Sequence, residues 1–308
     1  MRNKLKNILN TLPYIRSLYS QANELRNQVE EYNRNACFPP GHYYSPIISV
    51  KEVKEREHEI WKGVNRVQID GIEINTDEQL ALIKEFRNYY SELPFGENKK
   101  EGLRYYFNNT YYCHTDAITL YSVIRHYRPK RIIEVGSGFS SAVMLDTKQY
   151  FVNDLELTFI EPYPDRLFSL LTEEDKMKSK VIVQYLQKVD ASNFDQLGKN
   201  DILFIDSTHV SKTGSDVNYI LFEILPRIKS GVLIHFHDVF YPFEYPKEWV
   251  SEGRNWNEDY LLRAFLLYNK SFEIKVFVDF LHRHFKDIFS EMPLFYKNTG
   301  GSLWLQKL

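Results

Sequence analysis

The residues best suited to chemistry fall into two groups. In the first, Asp206 closes an apolar run, Asp201-Ile202-Leu203-Phe204-Ile205-Asp206, and is followed by Ser207-Thr208-His209. His237-Asp238 follows a second run, Gly231-Val232-Leu233-Ile234-His235-Phe236. Two carboxylates and an imidazole, Asp206, His237 and Asp238, make one divalent-metal set; Mg²⁺ prefers such oxygen ligands, with some positions left to water or substrate. The same residues could also work without a metal. His209 or His237 could take the proton from a substrate hydroxyl, since an imidazole titrates near neutrality. A third reading leaves His237 only orienting Asp238.

The second group is Glu134-Val135-Gly136-Ser137-Gly138-Phe139-Ser140-Ser141, with Glu161 further on at the end of Phe159-Ile160-Glu161. Gly136 and Gly138 permit a tight turn and let Ser137 and its neighbours present backbone N–H groups to a ligand. A carboxylate at Glu161 could accept hydrogen bonds from both hydroxyls of a ribose. A dinucleotide-binding turn prefers a third glycine where Ser141 stands. Glu134, just before the turn, would repel a pyrophosphate but suits a cofactor with a positive amino group, such as the methionine end of S-adenosylmethionine.

These groups need a frame, and the pattern from 131 onward supplies one. Short apolar runs at 131–135, 157–160, 181–186, 201–206, 231–236, 272–278 and 302–306 alternate with helical patterns at 220–228 and 258–269 and with a helix from about Ser140. Strands alternating with helices predict an α/β domain with a mostly parallel sheet, whose ligands gather at the carboxyl ends of the strands. Asp206, His237 and Asp238 should therefore converge. Upstream, helices are expected over 1–35, interrupted at Pro13, and over 51–62, 76–91 (Thr76 as cap) and 116–127.

Taken together, the landmarks Glu134-Val135-Gly136-Ser137-Gly138, Phe159-Ile160-Glu161-Pro162, Asp201–Asp206 and Gly231–Ile234 resemble the class I S-adenosylmethionine-dependent methyltransferases over residues 115–308. Phe139 stands where many members have a third glycine. The resemblance implies a Rossmann-like, seven-stranded, mostly parallel sheet with an antiparallel last strand, beside a helical N-terminal cap over 1–114. It implies S-adenosylmethionine held by Glu134, Gly136, Ser137, Gly138, Glu161 and, at adenine, Asp190 in preference to Gln187. It also extends to the metal-dependent small-molecule and sugar O-methyltransferases, in which Asp206 and the His237-Asp238 pair match metal positions. His237 departs from the carboxylate found there, which admits Mn²⁺, Fe²⁺ or no metal. Asp206, His209, His237 and Asp238 are the catalytic candidates. The acceptor implied is a small molecule or glycan precursor, and oxygen is favoured because no Asn/Asp-Pro-Pro-Tyr/Phe run follows the fourth strand. An NAD-dependent oxidoreductase and a binding protein with a vestigial pocket are the rivals.

Composition narrows the partners. The 308 residues carry 39 Lys+Arg against 41 Asp+Glu, so no global field favours nucleic acid or anionic membrane. No apolar run approaches the roughly 20 residues that span a bilayer. The two cysteines, Cys37 and Cys113, fit a reducing, cytoplasmic setting. The 22 tyrosines and 21 phenylalanines suggest aromatic walls for the acceptor, from His42-Tyr43-Tyr44, the 105–112 patch and Phe240–Pro246. Lys212, Lys247 and Arg254 could meet a phosphate or be ordinary surface charge. His282 and His284 are expected to be exposed loop residues. A homo-oligomer through the N-terminal helices is the remaining expectation, with a membrane-surface helix as its alternative.

Overall fold

The run Arg131–Val135 forms the central strand β1, buried at all but its first residue. It pairs in parallel with β2 (Glu156–Ile160) on one side and β4 (Ile202–Ile205) on the other. Strand β3 (Lys180–Ile182) lies outside β2, and β5 (Leu233–Phe236) beyond β4, both parallel to their neighbours. The hairpin of β6 (Phe272–Phe277) and β7 (Leu303–Lys307) completes the sheet, with β7 antiparallel to both β5 and β6. The order is β3-β2-β1-β4-β5-β7-β6. This is the seven-stranded Rossmann-like sheet expected, with its last strand inserted antiparallel. β4 is apolar throughout, and β1 after Arg131 and β5 are apolar but for Glu134 and His235, because the sheet is covered on both faces.

The computed structural model describes residues 13–308, which divide into two compact units at Glu57 and His58. The first contains α1 (Pro13–Asn35), none of whose residues is buried, and α2 (Val50–Glu55), capped by the Ser49 hydroxyl accepting from Glu52 N. Between them Phe38, His42 and Tyr43 stack in turn, with ring centroids 4.7 and 4.4 Å apart. The expected helix before Pro13, with Leu5, Ile8, Leu9 and Leu12, lies outside the described residues. The single helix expected over 51–62 is divided into α2, α3 (Glu57–Ile60) and a 3₁₀ turn at Trp61–Gly63.

In the second unit α4 (Thr76–Tyr90) is held against β6 by Gln79, which donates to Ile74 O and accepts from Phe277 N. Thr76 is not its cap; Asn75 precedes the helix in a left-handed conformation. Helix α5 (His114–Tyr127) is buried along ten consecutive residues, and α6 (Phe139–Phe151) packs beside it. Short helices α7 (Asp165–Leu170) and α8 (Glu173–Lys178) follow β2. The Arg104 guanidinium is clamped by Asp146 at 2.9 Å and Asp175 at 2.6 Å, which staples the 95–113 segment to α6 and α8. Beyond β4, α9 (Asp216–Tyr219) continues through a widened π turn over Ile220–Ile224. Helices α10 (Lys247–Ser251), α11 (Glu258–Leu266) and α12 (Val278–His284) complete the unit. His282 lies on α12 and is buried against Phe289 at 4.5 Å, so the expectation of two exposed loop histidines is corrected. Burial pushes its pKa down to about 4.

Candidate active site

The turn between β1 and α6 is the floor of the site. Gly136 has φ +77°, and a Cβ there would meet the Asp206 carbonyl at 1.9 Å, so only glycine lets the two strand ends approach. Glu161 spans the turn: its carboxylate accepts from Ser137 N at 3.0 Å and Tyr163 N at 2.8 Å. Glu134 is placed differently from the other acids. It has no exposed surface and accepts from the hydroxyls of Ser140, at 2.5 Å, and Ser141. Burial pushes its carboxyl up to about 8, although those hydroxyls favour the charged form.

Two lobes of one cleft meet over this floor, sharing Gly136, Glu161, Asp206 and Ser207. One, of about 240 Å³, runs over Gly136–Ser140 beneath Tyr111, Tyr112 and Arg166. The other, of about 310 Å³, is walled by Pro162, Tyr163, Tyr185, Leu186 and Gln187. Together they fall in the range of about 300–1,000 Å³ typical of small-molecule sites. The second lobe is predominantly apolar and suits a purine; the carboxylate at the junction suits a ribose. S-adenosylmethionine therefore fits the residues present. Gln187 lines the adenine side, donating to Gly214 O at 2.8 Å. Asp190 lies outside the cleft and caps the next turn, accepting from Ser192 N. Ser137 and Gly138 line the first lobe, whereas Glu134 sits below it. Arg166, which sequence reasoning missed, lies in the same lobe with its guanidinium 3.8 Å from the Tyr111 ring centroid.

Beyond the cleft, β4 and β5 bring Asp206, His209, His237 and Asp238 together. His209 Nε2 lies 3.3 Å from Asp206 and 3.9 Å from Asp238. Its Nδ1 lies 2.9 Å from Glu258, a buried residue that also accepts from Ser207 Oγ. The backbone N–H groups of Asn257 and Glu258 donate to the His209 carbonyl, so the start of α11 fixes both ends of the residue. Trp256 covers the ring at 4.3 Å. His237 Nε2 lies 3.5 Å from Asp238, and its buried Nδ1 has no partner among the described residues. Both His209, at φ +59°, and Asp238, at φ +56°, are left-handed non-glycine residues, a cost that clusters at functional sites.

The charges are interdependent. Burial opposes charge on His209, but its hydrogen bonds to Asp206 and Glu258 raise its pKa well above the ordinary histidine value. Burial would raise Asp206, yet His237 and His209 hold it below the usual carboxylate range. Asp238 is raised because burial outweighs the same two histidines. Burial would lower His237, but the Asp238, Asp206 and Asp116 carboxylates raise it.

Asp206, His237 and Asp238 share one end of the sheet, but no group of three or more His, Cys, Asp or Glu residues is disposed to hold a metal ion among the described residues. The space that the two aspartates face is taken by the His209 ring, a cation of the protein's own. This donor set does not fit a divalent ion.

The expected aromatic walls separate. Tyr111 and Tyr112 line the cleft, whereas Phe240, Tyr241, Phe243 and Tyr245 are buried in the core. Lys212 lines the adenine lobe, Arg254 pairs with Glu252 at 3.0 Å, and Lys247 lies over Trp61.

Residues 133–239 match the family model described as a methyltransferase domain. An uncharacterized protein of Archaeoglobus fulgidus is 38% identical over 170 residues, which is 54% of this chain and 76% of that protein. Among solved structures, the chain is similar to the O-methyltransferase TomG of Streptomyces achromogenes, in complex with S-adenosylmethionine (12% identity, 73% of this chain, 89% of that one, TM-score 0.41). It is also similar to a Podospora anserina methyltransferase bound to S-adenosylhomocysteine (14% identity, 89% and 99%, TM-score 0.39).

Proposed function

Because the chain belongs to the same family as the Archaeoglobus fulgidus protein and carries a methyltransferase domain, we propose that it methylates an oxygen of a small molecule or glycan precursor, using S-adenosylmethionine. The observation that carries this reading is the two-lobed cleft divided by Glu161 and lined by Asp206, whose carboxylate lies 3.3 Å from His209. When bound, S-adenosylmethionine supplies an activated methyl group.

The chain's own residues then have three tasks: to place the acceptor oxygen, to move its proton and to exclude water. Glu161 holds the ribose, the Gly136–Ser140 turn holds the methionine end, and Arg166 meets its carboxylate. His209, kept protonated by Glu258 and Asp206, fixes the Asp206 carboxylate that faces the acceptor oxygen. The raised Asp238 carboxyl, paired with His237, receives the proton. No step passes through a metal. Residues 115–308 serve as the methyltransferase domain, with 58–114 part of the same compact unit. Cys37 and Cys113, both free thiols, support a cytoplasmic setting.

Titration calorimetry with S-adenosylhomocysteine and with NAD, followed by radiolabelled methyl transfer to a pool of hydroxylated acceptors, tests this. Binding of the former and labelled product are expected. Tight NAD binding alone, or cofactor binding with no transfer to any acceptor, refutes the proposal.

A further inference from the structure

Helix α1 is 23 residues long, yet none of its residues is buried. Leu18, Leu25 and Val29 are 43, 61 and 56% exposed, an unusual state for aliphatic residues on one helix. Their spacing shows what would cover them. Ile15, Leu18, Ala22, Leu25, Val29 and Tyr32 alternate steps of three and four, a 3.5-residue period that keeps one seam facing a partner through three heptads. We propose that α1 pairs in parallel and in register with α1 of a second copy of this chain, forming a two-stranded coiled coil.

The identity of the partner follows from the residues at and beside the seam. The a positions are Ile15, Ala22 and Val29, and the d positions are Leu18, Leu25 and Tyr32. β-Branched Ile15 and Val29 at a, with Leu18 and Leu25 at d, favour two parallel strands. Across such a pair the flanking positions set Gln21 against Arg26 and Gln28 against Asn33, so an identical copy meets no like charge. The opposite face carries Ser20, Asn27 and Arg34 and is fully polar. An anionic membrane is the poorer occupant. The helix holds three arginines (16, 26 and 34) against three glutamates (24, 30 and 31), without the basic excess that surface-binding helices use.

Light scattering on the full chain after size exclusion tests the pairing. The expected mass is twice the 36.7 kDa of one chain. Leu18→Glu with Leu25→Glu should halve it, whereas Ser20→Glu with Asn27→Glu, on the polar face, should leave it doubled. S-adenosylhomocysteine binding reports in each case that the 58–308 unit is folded. Direction is read by Leu18→Cys in a Cys37→Ser background: a parallel pair forms a disulfide-linked dimer, whereas an antiparallel pair sets position 18 opposite 29 and does not. A single-chain mass for the unchanged protein at tens of micromolar, a dimer that survives the double glutamate change, or a monomer that sediments with anionic vesicles overturns the proposal.

Discussion

Glu134 gives the most direct physical test of the cofactor site. Its carboxyl titrates near 8 in the folded chain against an ordinary value of 4.5, because it is wholly buried. A folded pKa raised above the unfolded one means stability that is full below pH 4.5 and is lost as pH rises toward 8. The slope is about 1.4 kcal/mol per pH unit, so between pH 6 and 7.5 the ligand-free protein should lose about 2 kcal/mol from this group. Glu134→Gln keeps the shape and removes the titration. Urea unfolding of both proteins should therefore show the original protein falling below Glu134→Gln, by a gap that widens by about 2 kcal/mol across that interval. The cofactor supplies the second half of the test. A cationic amino group above the turn favours the ionised carboxylate, so S-adenosylhomocysteine should bind more tightly as pH rises from 6 to 8, by up to about tenfold per unit. Glu134→Gln should lack that gain. Parallel unfolding curves, with equal pH dependence of binding in both proteins, would refute the electrostatic reasoning.

Other outcomes follow from the same geometry. Glu161→Ala should weaken S-adenosylhomocysteine binding by about 10–100-fold, the loss of about 1.5–3 kcal/mol expected for charge-assisted hydrogen bonds, with a native circular dichroism spectrum. Glu258→Gln should lower kcat about 10–100-fold by loosening His209, while cofactor affinity measured by calorimetry stays unchanged. Turnover should persist in excess EDTA; loss of activity that Mg²⁺ or Mn²⁺ restores would contradict the role given to the His209 cation.

Much of the frame is legible in the sequence, because strands covered on both faces are mostly apolar, Glu134 in β1 and His235 in β5 being buried exceptions. The runs at β1, β4 and β5 therefore announce themselves. β3 does not: the apolar pattern continues to Leu186, but pairing stops at Ile182, where the chain turns to place Leu186 and Gln187 over the cleft. Residue types at strand ends mark the acids that the fold brings to one end of the sheet, yet they carry no information on direction. Gln187 and Asp190 are three residues apart, and only one faces the cleft. Glu258 leaves no local signal, since its partner His209 lies 49 positions away and the contact exists only once α11 has docked. The metal set is misleading for a similar reason: composition gives the ligands, but the intervening imidazole is a matter of distance. His282 sits on a helix of only seven residues, too short for its period to betray a buried face.

The position of β7 has a consequence for how the protein comes into being. β5 and β6 touch only through β7, so the sheet has a gap until residues 303–307 leave the ribosome and slot between strands made long before. Until then β5 shows an unsatisfied edge beside the aspartate and histidine at its tip, and such edges invite pairing with other nascent chains. The end of the sheet that carries the candidate site is thus assembled late, by an insertion rather than by growth at the margin.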